Sequence, residues 1–361
     1  MAIDDVAPRT GRVGYDGSRF GIGGLFLKTM LLSLLTLGIY NFWGRTQIRR
    51  AVWGATSVDG EPFEYTGTGK ELFFGFLKAI AILIGVGAVL FGITFVMARL
   101  LRSGMVLQLA PLAFYLILSV LAVAAVYLAT RYRLSRTLWR GIRFGLDGGS
   151  WSFVKGTIGY SLLAVATLGI CLPLLRTWQA RTIVNNARYG TVPFRMEARG
   201  ATLIWPWVLT MLLAAPTLGV MLVWYRVREF RTWSSSISVA GLKLDSRLRL
   251  GDVLGPVILL AVITVVFFVA LLLPTIFDFL EAWRTRMPPQ HASTLSIVGI
   301  WIYVALAPTI SFIVLGHPVL KASCETMAIG GALDLEAVAQ SSDAGPRTGE
   351  GLFALLDGGG L

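Results

Sequence analysis

Arginine dominates the cationic side chains of this chain: of 32 lysines and arginines, only six are lysine. Arg45 and Arg50, Arg131 and Arg136, Arg176 and Arg181, and Arg226 and Arg231 fall in pairs five residues apart, each pair just after a long apolar run. A guanidinium grips phosphate or carboxylate through parallel N–H donors, and arginine clusters beside membrane helices attract anionic headgroups. The chemistry these residues could do is therefore binding of an anionic solute or of anionic membrane lipid. Because the charge rides with apolar segments and not on a soluble basic face, nucleic acid is not the expected partner.

Other candidate chemistry fails on spacing. In "TGTGKEL", Glu64 stands where a phosphate loop needs its first glycine, and Glu71 follows Lys70 where Ser or Thr would hold magnesium. Gly67 and Gly69 lack a third glycine, since Leu72 occupies its place; a turn leading into a helix is expected. His291 and His317 have no His, Cys or carboxylate at metal-ligand spacing and no nucleophile to activate. Cys171 and Cys324 suggest buried thiols, neither a disulfide nor a metal pair. Asp278 and Glu281, beside Arg284 and Arg286, read as a local ion-pair cluster. Neither an enzyme nor a cofactor or metal site is expected.

Positioning these arginines falls to apolar helices. Hydrophobic residues make up 55% of the 361 and charged ones 14%, against roughly a quarter charged in ordinary soluble domains. Seven segments, about 24–43, 72–98, 104–130, 156–175, 201–225, 253–277 and 295–318, approach or exceed the ~20 residues needed to cross a bilayer as helix. The fold class expected is an all-α integral membrane protein, a polytopic helical bundle over 1–335 followed by a flexible polar tail, 336–361. The opening stretch, with acids and glycines, is not patterned as a cleaved signal and is expected to stay on the protein.

The segments resemble one another. A shift of 131 residues superimposes Thr36-Leu37-Gly38-Ile39 on Thr167-Leu168-Gly169-Ile170, and Arg45 and Arg50 on Arg176 and Arg181. A shift of 181 brings Thr217-Leu218-Gly219, Arg226 and Arg231 onto the same positions; a shift of 86 lays Arg131 and Arg136 there without the Thr-Leu-Gly. Internal repetition is the organising feature. Each unit reads as an Asp-Gly turn, an aromatic and glycine stretch, an apolar helix and an arginine-rich exit.

Gly38, Gly169 and Gly219 are candidate hinges, since glycine inside a helix costs about 1 kcal/mol and eases a bend. Two arrangements stay open. In a plain seven-span bundle these glycines permit close helix packing, and basic residues divide 12 against 18 between the two faces, a feeble bias. If the three Thr-Leu-Gly segments instead re-enter, only Arg99, Arg102, Arg284 and Arg286 lie on one face, which satisfies the positive-inside rule far better. Trp43, Trp53, Trp139, Trp151, Trp178, Trp224 and Trp233 would anchor the interface.

The stretches "LLTLGIYNFWGRTQIRR" and "VDGEPFEYTGTGKELFFGFLK" resemble the YjgN-like family of bacterial inner-membrane proteins, whose function is unknown. The likeness is strong over residues 12–80 and fades beyond. It implies a bacterial inner-membrane location, and it carries no activity or functional residues; the multi-pass reading comes from the apolar segments, and the tail, rich in glycine and small polar residues, is expected in the cytoplasm. The function expected from the residues is binding or transport of an anionic solute or lipid. The alternative is a non-transporting scaffold that recruits partners through an arginine-rich cytoplasmic face. Protein partners stay unassigned, and self-association is compatible with the sequence.

Overall fold

The computed structural model describes residues 11–102, 105–239, 241–286 and 292–331. The tail at 336–361 and His291 lie outside them. The chain forms five successive units, each a strand, a pair of helices and a second strand. The first runs β1 (Gly11–Tyr15), α1 (Arg19–Leu35), α2 (Asn41–Ala55), β2 (Thr56–Val58); the second β3 (Glu61–Tyr65), α3 (Gly69–Leu100), α4 (Met105–Ser135), β4 (Thr137–Trp139). The third runs β5 (Ile142–Leu146), α5 (Ser150–Ala166), α6 (Leu172–Asn186), β6 (Ala187–Tyr189). The fourth is β7 (Val192–Met196), a 3₁₀ turn at Gly200–Leu203, α7 (Ile204–Leu213), α8 (Val220–Ser234) and β8 (Ile237–Val239). The fifth is β9 (Leu242–Ser246), α9 (Leu250–Thr285), α10 (Ala292–Ser311), a π-turn at Phe312–Gly316, α11 (His317–Glu325) and β10 (Met327–Gly330).

The ten strands close into one antiparallel barrel, each hydrogen-bonded to its sequence neighbours and β1 to β10. Strands this short would not pair stably alone, and closure gives every edge a partner. Two-residue turns set the register. Asp59 and Gly60, and Arg140 and Gly141, all take positive φ, the type I′ geometry that matches strand twist. Alternation then sorts the side chains. Phe63 faces Trp139, Phe144 faces Tyr189 and Phe194 faces Val239 in an apolar layer, while the intervening Glu64, Arg143 and Arg195 take the other face. The Tyr189 hydroxyl donates to the Trp139 carbonyl at 3.0 Å, tying two strands through the layer.

The barrel corrects the all-α expectation. Its strands, three to five residues long, lie within stretches that read as loops between apolar segments. Among the described residues four helices, not seven segments, are long and apolar enough to cross a membrane: 69–100, 111–135, 250–285 and 298–325. The segments at 24–43, 156–175 and 201–225 are each divided by a Thr-Leu-Gly turn into two shorter helices. Seven alternating crossings are ruled out on physical grounds, because the ends of all five helical pairs are held in one barrel, which cannot occupy both sides of a bilayer.

The same turn is built three times. Gly38, Gly169 and Gly219 take φ of +89°, +87° and +86°, and each donates its N–H five residues back, to Ser33, Ala164 and Ala214 at 2.7 Å. This is the helix-ending motif that favours a left-handed glycine. Thr36 Oγ1 donates to the Leu32 carbonyl at 2.7 Å and accepts from the Tyr40 N–H at 2.9 Å, so one hydroxyl finishes a helix and starts the next. Thr167 and Thr217 repeat both bonds. The glycines are therefore turn residues that each join two helices. Nor does Gly38 serve close packing, since a Cβ there would meet nothing within 4 Å; at Gly169 and Gly219 it would make only ordinary contact, with Met211 at 3.8 Å and Leu222 at 3.9 Å.

Strand positions also correct the register of the second unit. β2 and β4 are related by 81 residues, so Arg131 corresponds to Arg50 and the shift of 86 is five too many. Likewise Asp59-Gly60 is a hairpin turn, whereas Asp16-Gly17 and Asp147-Gly148 link a strand to a helix. Trp139 is no interface anchor, being buried in the barrel layer.

Gly38→Ala should destabilise the protein by about 1–2 kcal/mol, since alanine is strained at this φ although space is free. Gly85→Ala, in the middle of α3 and equally free of neighbours, should be neutral or stabilising by up to ~1 kcal/mol. Thermal unfolding of both variants in the same detergent checks the contrast.

Candidate functional site

The eight arginines singled out by spacing lie on, or just past, the second helix of the first four pairs as it returns to the barrel, and the structure gives them different work. Arg50 donates to the Gly67 carbonyl at 2.8 Å, clasping the turn that starts α3. Arg136 pairs with Glu71 at 2.7 Å, and the Tyr132 hydroxyl donates to the other oxygen of the same carboxylate. Thr68 caps α3 with its hydroxyl, so "TGTGKEL" is a turn into a helix whose glutamate serves the fold. Arg45 is buried. Arg131 and Arg181 make no ion pair among the described residues.

Arg176 and Arg226 converge on Glu229, which spacing alone did not single out. Its Oε2 lies 3.0 Å from Arg176 and 3.2 Å from Arg226, and its side chain is only 3% exposed. Arg176 also lies over the Trp233 ring, whose Nε1 donates to Thr177. Glu229 Oε1 has no hydrogen-bond partner. Burial lifts the carboxyl to about 7, and the Arg226 guanidinium offsets only part of that rise. Here α6 of the third unit and α8 of the fourth are bound by one carboxylate between two cations.

Arg231 lines a cleft of about 520 Å³ between α8 and the start of α9. Arg228 and Arg249, neither foreseen from spacing, line it too, with Thr232, Ser235 and Ser246 as hydroxyl donors and Asp245 as the one carboxylate. Arg228 stacks over Trp224 at 5.4 Å, which holds its planar fork in place. Arg249 sits at the N-cap of α9, its backbone N–H bonded to Asp252 at 2.7 Å. Three guanidiniums beside a helix N-terminus favour a bound anion. The missed signal was "SRLRLGD", whose arginine lies one turn before an apolar run.

No group of three metal-ligating side chains occurs among the described residues. His317 is buried, with Nε2 2.9 Å from the Gly17 carbonyl. Cys324 is buried and Cys171 partly so, both unbridged. Asp278 and Glu281 form no ion pair with Arg284 or Arg286 among the described residues, so no ion-pair cluster forms there.

The raised Glu229 carboxyl sets a sign for pH dependence. The unfolded chain releases this proton near 4.5, while the folded protein keeps it to about 7. Folding therefore loses stability as pH rises through that window. Thermal unfolding at pH 5 and pH 8 should show wild type losing up to about 3 kcal/mol relative to Glu229→Gln; a gap that does not change with pH would contradict the assignment.

No curated protein and no solved structure matches the chain. One family model does, described as a bacterial protein of unknown function (DUF898), and it covers residues 10–355. The likeness seen at residues 12–80 thus extends through all five units, and the YjgN-like resemblance is consistent with it. The chain belongs to this family of bacterial proteins of unknown function.

Proposed function

We propose that this is a multi-pass protein of the bacterial inner membrane that binds an anionic headgroup or solute in the cleft between α8 and α9, with its barrel in the cytoplasm. The observation that carries this reading is that Arg228, Arg231 and Arg249 all line one open cleft. Arginine forks there can take phosphate or carboxylate bidentately.

The membrane placement rests on lengths and charges. Between Lys78 and Arg99, α3 carries no charge over roughly 30 Å, the depth of a hydrocarbon core. The tips of the two long pairs carry Arg99, Arg102, Arg284 and Arg286, and the barrel side carries most other cations, as the positive-inside rule requires for a cytoplasmic barrel. In this reading the three short pairs are re-entrant copies of one duplicated element. Lys28 corresponds to Lys78 through the strands that precede them, so the tip at Leu37 reaches about 14 Å beyond the lysine level, near the bilayer middle. Leu37, Leu168 and Leu218 are 94%, 86% and 95% exposed. All three carry positive φ, at a cost of roughly 1–2 kcal/mol each. Leucine held so is wasteful in water and suited to lipid.

The direct test is retention of phosphatidylglycerol over phosphatidylcholine by the purified protein, read by native mass spectrometry. Arg231→Ala with Arg249→Ala should lower phosphatidylglycerol retention by tenfold or more and weaken its salt dependence. Equal retention of the two lipids by wild type, or no loss in the double variant, would contradict the reading. The topology has its own check: cysteines at Glu61, Arg195 and Lys243 should all react from the cytoplasmic face, and opposite exposure of any two would overturn it.

A further inference from the structure

A second cleft, of about 550 Å³, lies between the first helical pair and α10. Its volume is within the ~300–1,000 Å³ of small-molecule sites. Most of its wall is apolar, from Phe26, Met30, Leu34 and Leu37 to Ala305 and Pro308. One charged side chain lines it, Arg45.

Burial sets Arg45 apart: Arg176 and Arg226 stand at the same seven-residue step past Gly169 and Gly219, yet of the three only Arg45 is buried. It lies seven residues past Gly38 on α2, roughly 10 Å from the tip, whereas Lys28 lies about 14 Å from the tip on α1. On the membrane placement proposed above, a buried guanidinium therefore sits inside the edge of the hydrocarbon layer. Ionisable groups there are costly and mark ligand or ion sites.

The surrounding polar atoms point the same way. Ser33 Oγ lines the cleft without a hydrogen-bond partner, and Thr309 Oγ1, next to Pro308, is buried and also lacks one. Native structures rarely leave such groups unsatisfied. Pro308 has no N–H to give the Val304 carbonyl, so the α10 wall lacks a backbone bond at the cleft. Beyond it α10 loosens into the π-turn, whose Ile313 carbonyl accepts from Arg19 Nε at 2.6 Å. Such turns often accompany functional sites.

We propose that this cleft holds one acyl chain of an anionic membrane amphiphile, its charged head on Arg45 and its tail along Leu34 and Leu37 toward the bilayer centre. The apolar wall, the single cation at its inner end and the orphan hydroxyls beside it match a long tail with one anionic head. This ligand is distinct from a headgroup at the α8–α9 cleft, and the inference rests on the membrane reading given above.

The test uses the full-length protein in detergent titrated with oleate, phosphatidylglycerol or phosphatidylcholine, with bound equivalents counted by native mass spectrometry. Arg45→Gln should weaken binding of an anionic ligand at least tenfold and leave phosphatidylcholine unaffected. Ser33→Phe, which fills the cleft and keeps the arginine, should abolish one bound equivalent and remains informative if Arg45→Gln does not fold. Oleate and phosphatidylglycerol separate a free carboxylate from a phosphodiester, since only the true head class should show the Arg45 dependence. Unchanged binding in Ser33→Phe, or equal binding of phosphatidylcholine, would overturn the inference. A loss seen only in Arg231→Ala with Arg249→Ala would sink this site and leave the α8–α9 cleft standing.

Discussion

The hydrogen bonds between β1 and β10 are the constraint on which the rest of this molecule depends. Gly11 and Arg12 meet Ile329 and Ala328, joining the beginning of the chain to the end of its fifth unit. Every strand is too short to persist alone, and an open ten-strand sheet would leave two bare edges. Closure removes both. It also requires each helical pair to start and finish on the same rim, whatever its length.

Variation in pair length then becomes the means of functional difference. Two pairs are long enough to cross a bilayer and three stop at a Thr-Leu-Gly turn. Between neighbouring pairs the rim carries cations, and their partners diverge: a carbonyl for Arg50, a carboxylate for Arg136, the shared Glu229 for Arg176 and Arg226. At the α8–α9 junction three guanidiniums line a single open cleft. Binding would then be a local departure from a recurring scaffold, which keeps the site on rigid elements.

Much of this was legible in the sequence, and the gaps have physical causes. Apolar runs and Thr-Leu-Gly recur visibly because helix and turn chemistry is local. The barrel was hidden because each strand contributes three to five residues and gains its stability from a neighbour far along the chain, as when Phe63 meets Trp139. The "DG" at Asp59-Gly60 followed by the alternation in "EPFEY" was the available hairpin signal. Arginine spacing found the rim but could not distinguish Arg136, neutralised by Glu71, from Arg231, which lines a cleft. Glu229 was invisible for the same reason, since its burial depends on α6 packing beside α8.

Closure itself is most directly tested by disulfide trapping in a background lacking Cys171 and Cys324, with cysteines at Arg12 and Ala328, paired across β1 and β10. The account predicts an intramolecular cross-link as efficient as that between Gly14→Cys and Ser57→Cys on β1 and β2, a pair already joined by local sequence. A cross-link in the second pair and none in the first would mean the ring is open, and the common rim for all five helical pairs would fall with it.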